Sequence, residues 1–112
     1  MEIFSSSHFG KELQLGLSES LTPKANKRLD LFLIDLSSDN ILEREIALRK
    51  ASLIDSDKPV ILFALDEDLN ILMRNVIFLN LLRKPNIGFL EIPFEIKDIY
   101  SIYRYIKNGR RH

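Results

Sequence analysis

Three short apolar runs punctuate the middle of the chain: Leu31-Phe32-Leu33-Ile34-Asp35, Pro59-Val60-Ile61-Leu62-Phe63-Ala64 and Ile87-Gly88-Phe89-Leu90-Glu91-Ile92-Pro93-Phe94. Runs of this length, bounded by turn residues, predict parallel strands buried on both faces. Glu2 to Phe4 offers a short first strand ahead of them. Between the strands, apolar residues recur at helical spacing. Phe9, Leu13, Leu17 and Leu21 fall every four residues and predict a first helix, with a preceding serine as its N-cap. Thr22-Pro23 then opens a short helical segment to about Arg28. Asn40 with Glu43 has the spacing of a capping box and predicts a helix from Ile41 to about Ile54. Its expected inner face carries Leu42, Ile46, the Arg49 stem and Leu53, flanked by Leu48.

After the second run, Asp66-Glu67-Asp68 suits the positive end of a helix, which is expected to span Glu67 to about Arg83. This helix carries two apolar stripes. Leu69, Leu72 or Met73, Val76, Leu79 and Arg83 suffice to cover a sheet, and Ile71, Asn75, Phe78 and Leu82 point well away from them. An exposed apolar stripe marks an interaction surface, so the second set is the expected partner face. A last helix from about Lys97 to Lys107 turns Ile99, Ile102, Tyr103 and Ile106 inward, with Tyr100 and Tyr105 flanking. Tyrosines beside an apolar stripe strengthen the expectation of an interface. Strands alternating with helices predict an α/β, three-layer architecture around a parallel sheet. In such folds ligands sit outside the carboxyl ends of the strands, here Ser5 to Ser7, Asp35 to Asp39, Ala64 to Asp68 and Glu91 to Phe94.

Composition narrows the function classes. At 112 residues, 46% of them hydrophobic and 29% charged, the chain is expected to form one domain over 1–112. Sixteen basic and sixteen acidic residues cancel, which removes any general drive toward nucleic acid or an acidic membrane. There is no cysteine for a disulfide or thiolate site, and no apolar run nears the roughly 20 residues of a membrane span. The N-terminus lacks a signal peptide's basic start, so the expected location is cytoplasmic.

Candidate chemistry is sparse. Asp35, Asp39, Asp66 and Asp68 could converge on a cation, although capping and solvated loop positions are the ordinary role of such acids. His8 and His112 stand far apart in sequence with no ligand constellation around them. Ser5-Ser6-Ser7 has no histidine or lysine placed to activate it and reads as a turn and cap. Four glycines, with no Gly-rich loop after any strand, argue against the phosphate cradle of a small flavodoxin-like enzyme or ligand-binding domain. No catalytic residue, metal or cofactor is expected.

The runs Leu31 to Leu36, Pro59 to Ala64 and Phe89 to Phe94, in this order and near-family spacing, resemble the receiver domains of two-component response regulators over about residues 31 to 106. The resemblance implies a flavodoxin-like sheet of four strands, because the ten or so residues before Leu31 are too few for the family's second strand and full second helix. Asp35 falls on the phosphoacceptor. Ser5 and Ser6 stand where the family holds magnesium with an acidic pair, Ala64 where a hydroxyl meets the phosphoryl group, and Ile92 where a lysine pairs with it. Without the carboxylates the site lacks the hard oxygen ligands magnesium requires. Phosphoryl transfer depends on that metal and cation for positioning and charge neutralisation. Phe89 falls on the family's switch aromatic. The implied function is therefore a phosphorylation-independent receiver-like module that dimerises through the Glu67–Arg83 and Lys97–Lys107 helices, alone or as the N-terminal part of a transcription activator of the enhancer-binding type. The alternatives are a working phosphoacceptor at Asp35 and the flavodoxin-like enzyme or ligand-binding domain.

Overall fold

The computed structural model describes residues 1–5, 8–20, 30–38 and 40–108. Four strands, β1 (Glu2–Phe4), β2 (Phe32–Asp35), β3 (Val60–Leu65) and β4 (Ile87–Ile92), form an all-parallel sheet in the order β1-β2-β3-β4. The register sets Phe4 against Ile34, Asp35 against Phe63, and Leu65 against Ile92. The strands form because β2 and β3 are apolar on both pleat faces, as a central parallel strand must be. Along β3, Val60, Leu62 and Ala64 enter one core cluster and Ile61 and Phe63 the other.

Two helices cover one face. They are α1 (His8–Ser20) and the C-terminal helix Ile96–Asn108, labelled α5 below. Leu13, Leu17 and Ile99 are buried there, with Phe9, Ile102 and Tyr103 packed at the margin, as the apolar spacing predicts. Phe9, Phe63 and Phe94 meet edge-on or tilted, with centroids 4.9–6.1 Å apart, and lock α1 to β3 and the turn after β4. Gly88 lets α5 lie close to β4, since a Cβ at that position would collide with Ile102. The opposite face carries α2 (Ile41–Leu53), α3 (Leu69–Leu72) and α4 (Val76–Leu82). With one helical layer on each side, the arrangement is the flavodoxin-like three-layer α/β fold. No helix among the described residues is long and apolar enough to cross a membrane.

Two expectations are corrected on this second face. The inner stripe of α2 is Arg44, Ala47, Leu48 and Ala51, while Leu42, Ile46 and Leu53 are exposed. Two alanines bring the helix close to the sheet, and the bulkier stripe turns outward. The single helix expected over Glu67–Arg83 is instead a 3₁₀ turn (Asp66–Asp68), α3 and α4. Asn75 breaks it. Its backbone is extended, and its side-chain oxygen accepts from the amides of Ile77 (2.9 Å) and Phe78 (3.1 Å), an N-cap for α4. The break resets the helical phase, so Phe78 and Leu81 point into the core and Val76 points out. The short helix to Arg28, Ser6, Asp39 and the Arg110-Arg111 end lie outside the described residues.

Candidate functional site

The carboxyl ends of β1 and β2 bring Ser5 and Asp35 together. Asp35 is almost wholly buried, and both of its oxygens are engaged. Oδ2 accepts from the Ser5 hydroxyl at 2.5 Å. Oδ1 accepts from the Ser37 amide at 2.8 Å and the Ser37 hydroxyl at 2.5 Å. The aspartate thus closes the turn after β2 by a local side-chain-to-backbone bond and pins it to the end of β1. Gly10 of α1 permits the approach, because a Cβ there would strike Ser5 and come within 3.2 Å of Asp35 Oδ2. A cavity of about 300 Å³ opens beside this cluster, lined by Ile3, Phe4, Ser5, Asp35, Ser38, Glu43 and Ile46.

The other positions implied by the resemblance do not join Asp35. Ala64 is fully buried in the core beneath α2 and α4, whereas Ile92 packs in the core on the α1 and α5 face. Neither side chain has a hydroxyl or amine to offer a phosphoryl group. Phe89 lies against Phe78, ring centroids 5.9 Å apart and nearly perpendicular. No group of three or more potential ligands among the described residues is placed to hold a metal ion. Of the residues expected for a cation site, Asp39 lies outside the described residues, and Asp35, Asp66 and Asp68 do not group. Asp68 turns away to an arginine, and Asp66 is exposed.

That arginine is Arg44, a residue the bulky apolar pattern of α2 does not single out. Its Nε donates to the Leu36 carbonyl (3.1 Å), and its Nη2 donates to the Ser38 carbonyl (2.7 Å) and to Asp68 Oδ1 (2.9 Å). Asp68 Oδ2 in turn accepts from the Leu65 amide at 3.2 Å. A single buried guanidinium thus ties the loop after β2 to the loop after β3. The available signal was its place in the stripe Arg44, Ala47, Leu48, Ala51, at spacing i, i+3, i+4, i+7. Small residues hid the stripe.

The expected partner face also comes apart. Phe78 is fully buried, Leu82 packs half-buried against the same core, Asn75 is the α4 cap and bonds Glu45 (3.1 Å), and only Ile71 is exposed. The Ile71, Asn75, Phe78, Leu82 stripe is therefore not an exposed apolar surface, because the break at Asn75 turned Phe78 inward. Tyr100 and Tyr103 are half-buried on α5, in the opposite helical layer. Against known proteins, no family model matches the chain, and no curated protein or solved structure does.

Proposed function

We propose that this chain is a receiver-like interaction module that works without phosphorylation and without catalysis. The observation that carries the reading is the state of Asp35. Its two oxygens accept three hydrogen bonds from Ser5 and Ser37, so the group that would attack a phosphoryl donor is committed to holding two strand ends together. A phosphoacceptor must present an oxygen to the donor beside a metal and a cation. Here Ala64 and Ile92 stand in the core, and the Nε and Nη2 of Arg44 are engaged by Leu36, Ser38 and Asp68.

The loops that carry such a site are also fastened to each other. Arg44 and Asp68 join them through a buried ion pair, which favours one fixed arrangement over a pair of switching states. Function then rests on surface recognition. Seven of the ten large apolar side chains exposed among the described residues, Ile41, Leu42, Ile46, Leu53, Ile71, Met73 and Val76, belong to the α2–α4 layer and the turn within it. Apolar side chains gathered on one exposed side mark an interaction surface. The reading implies a protein partner and the cytoplasmic, signalling setting of the family it resembles.

The test is incubation with acetyl phosphate and magnesium, followed by intact-mass measurement. No phosphoryl adduct is expected. An adduct that disappears in Asp35→Asn restores the phosphoacceptor alternative.

A further inference from the structure

The outward face of α2 reverses the usual polarity of a surface helix. Its inner stripe is made partly of alanines, and half a turn away lie Leu42, Ile46, Arg49 and Leu53, at spacing i, i+4, i+7, i+11. Leu42 is 67% exposed, Ile46 49% and Leu53 83%, with Ile41 at 75% beside them. The Asn75–Glu45 bond sets the start of α4 against α2, so exposed Val76 extends the patch on one shoulder. The whole is on the order of several hundred Å², at the upper end of what a soluble monomer leaves open.

The stripe is complementary to itself. Lay α2 antiparallel on α2 of a second copy, about a two-fold axis between Ala47 and Leu48. Leu42 then faces Leu53 of the second copy, and Ile46 faces the Arg49 stem, whose methylenes cover it while the charged head reaches the rim. The same rotation keeps each flank of the helix on its own side. Glu43, which accepts from the Ser38 hydroxyl, and Lys50, which lies over the Phe4 ring, share a flank, so the rotation sets each Glu43 on the same side as Lys50 of the other copy, opposite charges occurring twice. A parallel arrangement would set Arg49 against Arg49.

We propose that the outer face of α2 is a homodimer surface on which two copies of this chain pack antiparallel, Leu42 against Leu53. The Val76 shoulder adds to the area this contact can bury, and specific interfaces bury about 1,200 Å² or more in total. This deepens the interaction-module reading by naming the partner as a second copy. It stands or falls separately, because acetyl phosphate reads the strand ends and not this helix.

The experiment uses the absence of native cysteine. Leu42→Cys and Leu53→Cys chains are oxidised mildly, each alone and mixed, beside sedimentation equilibrium of the unmodified protein. Expected are a concentration-dependent dimer and a disulfide-linked species that forms mainly in the mixture. Like positions lie about 16 Å apart along the paired helices, beyond the roughly 7 Å between Cα atoms that a disulfide spans. The Leu42→Ser/Leu53→Ser double variant should be monomeric and still unfold cooperatively in urea, since both side chains are exposed, with a midpoint that no longer depends on protein concentration. A wild-type monomer at high concentration overturns the proposal. So do homodisulfides as abundant as mixed ones, or a double variant that stays dimeric.

Discussion

Arg44 Nη2 stands 2.9 Å from Asp68 Oδ1, with both side chains nearly closed off from water. The pair joins α2 to the 3₁₀ turn after β3, across 24 residues of chain. Its geometry is completed by the Leu36 and Ser38 carbonyls and the Leu65 amide, which hydrogen-bond both members of the pair.

Breaking this pair from one side is expected to be costly. Asp68→Leu leaves the guanidinium buried without its counter-charge and should lower stability by about 3 kcal/mol. Arg44→Met together with Asp68→Leu should recover part of that loss, because both charges are removed. Urea denaturation of the two single variants and the double variant measures the coupling. Additive losses would mean that the two residues act separately.

Phe78 is expected to behave as a core residue and not as a contact for a partner. Phe78→Ala should cost about 3–5 kcal/mol through lost burial and the cavity left beside Phe89 and Leu81. Denaturant midpoint and mass in solution check this together. Full stability with an altered association state would contradict the buried position.

The glycines of the two helical contacts should respond with opposite signs. At Gly16 of α1 an added Cβ meets, among the described residues, only Ile96 Cδ1 at 3.4 Å, so Gly16→Ala should stabilise by about 0.5–1 kcal/mol through helix propensity. At Gly88 the same methyl collides with Ile102, a stiff β-branched side chain on α5. Gly88→Ala should therefore cost about 1–3 kcal/mol. Thermal unfolding of the two variants side by side gives the comparison.

These contrasts follow the division between what the sequence made legible and what it did not. The strands were legible because an apolar run closed by Pro59 or Pro93 leaves few readings, and their order follows from the alternation with helices. The inner faces of α1 and α5 were legible because each helix has one apolar stripe. On α2 there are two, and bulk pointed to Leu42, Ile46 and Leu53 when the small stripe with Arg44 was the one that packs. On the α3–α4 segment, a continuous helical period makes Asn75 a surface position. Its capping role was readable in principle, since asparagine competes for backbone amides wherever a helix can start. Asp35 was placed correctly at a strand end. Its pairing with Ser5 depended on the parallel register of β1 and β2, which no local pattern encodes.

Beryllofluoride with magnesium, followed by amide NMR, asks most directly whether the strand-end site of this fold is inert. The compound mimics a phosphoryl group on an aspartate and needs the metal, the hydroxyl and the lysine position to bind. With Asp35 held by Ser5 and Ser37, and Ala64 and Ile92 in the core, the resonances of residues 35–38 and 64–68 are expected to stay where they are. A saturable, stoichiometric shift of those resonances that vanishes in Asp35→Asn would contradict the account.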